Sequence, residues 1–493
     1  MSDELAALDV TAQAELVRTG EANPTELVEA AIARIEAIDP ELNSVIHRFF
    51  DDAREQAAGE LPDGPFRGVP FLLKDLGVSF AGQPLHMGMR LLKEADFRSP
   101  VDSQLALRFR AAGLVTVGKT NTPEIGILPT TEPDAYGATR NPWDTSRSAG
   151  GSSGGAGAAV AAGLVPFAHA SDGGGSIRIP ASHNGLVGLK TTRARTSAGP
   201  LAGDFASGLS ENFAVTRSVR DAAALLDAVH GPGPGDPYAA PTPARPYRDE
   251  VGAPAGKLRI ALITSSVVEA DPGPEALEAV GSAADLLIEL GHSVEELDIT
   301  AAGIGEEMPA AFIKRWAAGM GQTIRLMGRV IGRPVEEGDV EPLTWALAQS
   351  GEGVSGAEYL EAVGLHQLIG RGIAGIYEGG VDLLLSPTVG EQPPPLGQFD
   401  DSGPDPFRAL KRSEKPAMFT SLFNATGQPA ISLPLHWTAD GLPVGIQLAA
   451  RTGGEDLLLR VAAQLEQARP WADRRPPVFA DGPAITGAVP SAG

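Results

Sequence analysis

The sequence predicts an α/β protein. Short apolar runs bounded by Gly, Pro or charged residues alternate with stretches whose apolar residues recur at helical spacing, and this rhythm resumes beyond a long Pro/Gly-rich connection. In residues 11–38, Ala14, Leu16, Val17, Leu27, Ala30, Ala31, Ile32 and Ile35 fall at helical spacings, and Asn23-Pro24 marks a second helix start, so two packed helices are expected. Gly68-Val69-Pro70-Phe71-Leu72-Leu73 reads as a strand that ends on Lys74-Asp75. Residues 105–112 read as a helix and 114–117 as a strand. The Ala/Gly-rich run 154–170 is interrupted by Pro166 and His169 and is too short to cross a membrane, so it reads as a buried helix leading into a strand. Residues 230–257 are crowded with Gly and Pro and read as a surface connection without regular structure. Beyond them come a strand at 258–263, a helix at 276–290, a strand at 292–297, a helical region over 304–369, and buried strands at 381–385 and 430–434. The acidic segment between the last two, with Pro393-Pro394-Pro395, reads as a loop.

Composition narrows the chemistry. With 62 acidic against 39 basic residues the formal charge is −23, which repels nucleic acid and anionic membrane surfaces. The absence of cysteine removes thiolate nucleophiles and cysteine metal sites. None of the eight histidines stands in a nucleophile elbow or an H-E-x-x-H pair, and no metal site or cofactor is expected. The N-terminus lacks a basic stretch followed by an apolar one, so a cytoplasmic protein is expected.

Two glycine clusters stand out. The first is Ser148-Ala149-Gly150-Gly151-Ser152-Ser153-Gly154-Gly155, and the second is Ser171-Asp172-Gly173-Gly174-Gly175-Ser176-Ile177-Arg178-Ile179-Pro180. Glycines this dense lose much backbone entropy on folding, so the fold must need unusual dihedrals or close approach there. The first cluster lacks the lysine and hydroxyl spacing of a P-loop.

These clusters, with Lys74-Asp75 upstream, resemble the motifs of the amidase signature family in order and spacing. The resemblance extends over Lys119-Thr120-Asn121-Thr122-Pro123-Glu124, Thr139-Arg140-Asn141-Pro142-Trp143, Gly185-Leu186-Val187-Gly188-Leu189-Lys190 and Gly427-Gln428-Pro429-Ala430-Ile431-Ser432-Leu433-Pro434. It implies a mixed central β-sheet surrounded by α-helices. It also implies a nucleophile at Ser176, a bridging serine preceded by a cis peptide at Ser152, and a general base at Lys74. Such a base must be neutral, and placement at the end of an apolar strand would depress its pKa. Gly173, Gly174, Gly175 and Ser176 would offer backbone N–H groups to an oxyanion, with Ser153, Asp172 and Arg178 as supports. Gly126, Ile127 and Leu128 would line the substrate pocket, although plain core packing explains Ile127 equally well. Family members often carry Thr or Ile where Gly173 stands.

The implied organisation is one domain over residues 1–493. Its parts are N-terminal helices at 1–60, a catalytic core at 61–230, the connection at 231–257, further core at 258–303 and 424–480, and a variable cleft region at 304–423. The implied substrate is a small non-peptide amide, a nylon-oligomer-like amide or a carbamate, with no nucleic-acid or membrane partner. A homodimer is left open. The alternative within the family is a glutaminase-type subunit of a tRNA-dependent amidotransferase, although its basic C-terminal segment finds no match here.

Overall fold

The two N-terminal helices form as their boundary residues dictate. Val10–Thr19 is capped by Asp9, and Pro24–Leu42 begins with Pro24 behind Asn23, whose side chain completes a reciprocal cap with Glu26. The computed structural model describes residues 2–480 apart from 269, 303 and 306. Residues 1 and 481–493 of the expected domain therefore lie outside the described residues.

The strands, in chain order, are β1 (Val45–Arg48), β2 (Pro70–Lys74), β3 (Val115–Thr120), β4 (Arg140–Asn141), β5 (Asp144–Ser148), β6 (Phe167–Asp172), β7 (Val187–Lys190), β8 (Glu211–Thr216), β9 (Arg259–Leu262), β10 (Ser293–Glu296), β11 (Leu383–Pro387), β12 (Ala430–Trp437) and β13 (Pro443–Ala450). Eleven of them form one sheet in the order β1-β3-β2-β6-β8-β7-β12-β13-β11-β9-β10, while β4 and β5 pair separately. Two parallel blocks, β3-β2-β6 and β11-β9-β10, flank an antiparallel centre, which makes the sheet mixed as expected. Strands β2, β3 and β6 are buried along their whole length, and their apolar runs are what a sheet covered on both faces requires. Helices Gly154–Ala161, Val219–Val229, Pro274–Glu289 and Glu455–Ala468 bury Val160, Leu226, Leu287 and Leu459 in the same core.

A second apolar cluster lies apart from the sheet core. Helices Glu307–Ile331 and Pro342–Glu352 contribute Met320, Leu343 and Leu347 to it, and these pack with Met89, Leu92, Leu128 and Phe399.

The structure departs from the sequence reading in several places, and β1, β4, β5, β7 and β8 are strands that the reading did not expect. The segment between β11 and β12 is not all loop: it folds into short helices Phe407–Arg412, Glu414–Ala417 and Ser421–Thr426, which bury Ala409, Leu422 and Phe423. Strand β13 had no counterpart in the reading, because its run Pro443-Val444-Gly445-Ile446-Gln447 breaks the apolar pattern with a buried polar residue that has a specific partner. The connection 230–257 carries a 3-10 turn, Tyr247–Glu250, anchored by Asp227, which accepts from the N–H groups of Tyr247 and Arg248.

Candidate active site

Lys74 closes β2 and is fully buried. Its Nζ lies 2.7 Å from Ser152 Oγ and 3.0 Å from Ser171 Oγ. Its backbone N–H donates to His169 Nδ1 at 3.2 Å. Burial pushes the Lys74 ammonium down from 10.5 to about 7, and only Asp172 pulls it back up. Neutral amine, able to accept a proton, is thus available near pH 7. Asp75, the next residue, turns to other duties. It accepts from the N–H groups of His86 and Met87 and lies 3.6 Å from Lys119 Nζ.

Ser152 reaches Lys74 from the loop between β5 and helix Gly154–Ala161, and the Gly151–Ser152 peptide is cis. Gly151 is dictated by close approach: a Cβ there would lie 2.3 Å from the Thr130 carbonyl oxygen. Gly126 adjoins Ser152, and a Cβ there would lie 3.1 Å from Ser152 Oγ. Ile127 and Leu128 leave that spot and pack in the second apolar cluster, beside Met89 and Trp316.

Ser176 begins the turn after β6 and is 9% exposed. Its carbonyl accepts from the Ser153 N–H at 3.3 Å, which joins the two glycine-rich segments directly. Ser153 reinforces the joint, because its hydroxyl donates to the Ser171 carbonyl at 3.1 Å and accepts from the Ser171 N–H at 3.3 Å. Among the described residues no hydrogen bond links the Ser176 and Ser152 hydroxyls.

The peptides before Ser176 are held in fixed orientation. The Gly174 carbonyl accepts from Thr420 Oγ1 at 2.6 Å, and the Gly175 carbonyl from the Ile179 N–H at 2.7 Å. In a planar trans peptide the N–H points opposite to its carbonyl, so the N–H groups of Gly175 and Ser176 face away from Thr420 and Ile179. Neither makes a hydrogen bond among the described residues. Gly175 has φ +138°, and a Cβ there would lie 2.4 Å from Thr420 Oγ1, so glycine is required. A Cβ at Gly173 would lie 2.8 Å from Trp316 Cη2. That space is filled by the Trp316 indole, stacked on Phe312 at 5.6 Å between ring centroids.

Asp172 and Arg178 form a buried bidentate pair, with Nη2 to Oδ1 at 2.8 Å and Nε to Oδ2 at 2.9 Å. Burial alone would raise the Asp172 carboxyl, but the Arg178 guanidinium overrides it and holds the pKa at about 2. Arg178 also donates to the Thr420 carbonyl, Gln447 Oε1 and Asn424 Oδ1. Asn424 Nδ2 in turn donates to Asp172.

Ser171, Thr420, Asn424 and Gln447 had no role in the sequence reading. A signal for Ser171 exists: His169 and Ser171 are polar at alternate positions of the strand, so they share a face. Thr420, Asn424 and Gln447 carry no such local mark.

A profile of the Amidase family matches residues 26–459. The chain belongs to the amidase signature family and is an amide hydrolase. Within that family it is 45% identical over 480 residues to the 6-aminohexanoate-cyclic-dimer hydrolase of Paenarthrobacter ureafaciens, covering 95% of this chain and 96% of that protein. The solved structure of 6-aminohexanoate cyclic dimer hydrolase complexed with substrate superposes with a TM-score of 0.92 at 44% identity, over 96% of this chain and 99% of that one. The glutamyl-tRNA(Gln) amidotransferase component of known structure from Thermotoga maritima is more distant, with a TM-score of 0.78 at 26% identity over 97% and 98% of the two chains. The amidotransferase reading is therefore not favoured. Among the described residues no helix is long and apolar enough to cross a membrane.

Proposed function

We propose that the protein hydrolyses a small non-peptide amide, cyclic or linear and of the nylon-oligomer type, or a related carbamate, through an acyl-enzyme on Ser176. The contact that carries the reading is Lys74 Nζ to Ser152 Oγ at 2.7 Å, made by a buried amine with a pKa of about 7. The neutral amine takes the Ser152 proton while Ser152 takes the proton of Ser176, whose Oγ adds to the substrate carbonyl carbon. The N–H groups of the segment Gly173, Gly174, Gly175 and Ser176, of which those of Gly175 and Ser176 are oriented by their neighbours, receive the developing oxyanion. Collapse of the tetrahedral adduct breaks the C–N bond, and the proton stored on Lys74 returns through Ser152 to the departing nitrogen. Water then adds to the Ser176 ester, giving up a proton through Ser152 to Lys74, and collapse of this second adduct breaks the bond to Ser176 Oγ, which regains that proton as the acid leaves.

Phe312 and Trp316 of the 304–423 region stand over the glycine turn, Gly126 adjoins Ser152, and in this reading Ile127 and Leu128, which share the apolar cluster of Trp316, line the pocket on that same side. These surfaces are largely apolar, which suits an alkyl amide. Similarity to 6-aminohexanoate-cyclic-dimer hydrolase supports the same substrate class. In this reading the enzyme works in the cytoplasm on a dissolved substrate.

The test is a panel of cyclic and linear 6-aminohexanoate oligomers, aryl amides, fatty amides and urethanes, assayed with the wild type and Ser176→Ala. Turnover of at least one nylon oligomer or carbamate by the wild type, with a loss of at least about 10³-fold in Ser176→Ala, is expected. Equal rates in the two proteins would overturn the nucleophile.

A further inference from the structure

A cavity of about 650 Å³ lies beside helix Gly356–Glu378, and its charge is opposite in sign to that of the protein as a whole. None of Lys74, Ser152 and Ser176 lines it. Four guanidiniums do: those of Arg193 and Arg315, the second deeply buried, and those of Arg371 and Arg451, exposed toward the mouth. Among the described lining residues Glu378 is the one carboxylate.

Arg193, Arg315 and Arg451 are held by uncharged acceptors, while the carboxylates of Glu211 and Asp204 act on Arg193, and Asp204 on Arg315, only through space. Arg193 Nη2 donates to the carbonyls of Asn424 and Ala425 at 2.7 and 3.0 Å. Arg315 donates to His366 Nδ1 at 2.6 Å and to the Ser207 carbonyl. Arg451 reaches only the Thr452 carbonyl, at 3.5 Å. Each of these acceptors is uncharged, since burial first and Arg315 second push His366 down to about 4 and leave it neutral near pH 7. None of the four arginines forms an ion pair among the described residues. The buried arginines Arg178 and Arg195 do, with Asp172 and Glu455. Two polar groups at the cavity are also buried without a hydrogen-bond partner, Arg315 Nε and the Tyr377 hydroxyl. Desolvated guanidiniums such as those of Arg193 and Arg315, whose hydrogen bonds all go to neutral acceptors, are costly, and an anion bonded directly to them lowers that cost.

We infer that this cavity binds a small organic anion carrying two or more carboxylate or phosphate groups. Four guanidiniums against one carboxylate call for more than one negative charge, and planar guanidiniums recognise such groups bidentately. The volume fits a ligand of metabolite size. The acidic surface of the chain disfavours an extended polyanion. The site shares a wall with the machinery described above, because Arg193 holds the carbonyl of Asn424 while the Asn424 side chain holds Asp172. An anion bound to Arg193 therefore braces the helix Ser421–Thr426.

Calorimetric titration of the full chain with citrate, inorganic phosphate and acetate, at constant ionic strength set with sodium chloride, tests the site. Arg371 and Arg451 lie near the surface, so the double variant R371Q/R451Q is compared directly. The expected result is saturable binding of citrate or phosphate to the wild type, weakened at least about tenfold in the double variant, with no saturation by acetate. Absence of saturable binding by both multivalent probes up to about 10 mM overturns the inference, as does equal affinity in the two proteins or acetate binding as tight as citrate. Binding is read independently of hydrolysis, so this result and the fate of the proposed reaction are separable.

Discussion

Replacing Lys74 by methionine separates what this residue does for the reaction from what it costs the fold. Lys74 is wholly buried, and burial moves its pKa from 10.5 to about 7. Each pH unit of such displacement corresponds to ~1.4 kcal/mol, so below pH 7 the native state carries a penalty on the order of 5 kcal/mol for a cation kept from water. Between pH 7 and 10.5 the unfolded chain binds the proton more tightly than the native one, so this penalty shrinks as pH rises and is gone above 10.5. Methionine matches the unbranched stem and carries no charge, but it strands the hydroxyls of Ser152 and Ser171, at roughly 1–3 kcal/mol each. Urea unfolding of Lys74→Met should therefore show a stability relative to wild type that is higher at pH 6 than at pH 9.5, by roughly 3–5 kcal/mol between the two. The kcat/KM of the wild type should rise with pH through about 7 and level off above it, while Lys74→Met retains little turnover at either pH. A stability difference that is the same at both pH values, or a wild-type profile flat across neutrality with chemistry limiting, would refute a depressed lysine acting as base.

Two further changes probe the supports. Thr420→Val removes the hydroxyl that fixes the Gly174–Gly175 peptide while keeping its shape, and at ~1 kcal/mol for the lost hydrogen bond kcat should fall about five- to tenfold with KM little changed in steady-state assays. Asp172→Asn leaves the buried Arg178 without its carboxylate and should cost ~3–5 kcal/mol in urea unfolding near pH 7. Because the Asp172 pKa is lowered from 3.8 to about 2, the wild type should lose this advantage over the variant only as pH falls through that interval.

Local signals made much of the architecture readable. Asn23-Pro24 fixed a helix start, and the apolar run ending on Lys74 fixed a buried strand. The two glycine clusters pointed to the serines because glycines at Gly151 and Gly175 leave room that no other residue leaves. Legibility ended where function depends on tertiary placement. Thr420 sits in a stretch that reads as loop until its neighbours are buried, and Asn424 and Gln447 reveal their use only across a sheet assembled from distant strands. Trp316 belongs to a helix whose pattern announces packing, yet its ring lies where a side chain on Gly173 would be. The Arg193 and Arg315 cavity was equally silent, since its walls come from separate stretches of chain.

The reach of Arg178 has a consequence for biosynthesis. Its acceptors on Thr420, Asn424 and Gln447 lie 242, 246 and 269 residues further along the chain. A nascent polypeptide that has exposed both serines and the lysine still lacks the groups that clamp the turn between them. If the proposed relay operates, competence awaits strand β13, and a chain released before it holds both serines without the clamp on the turn between them.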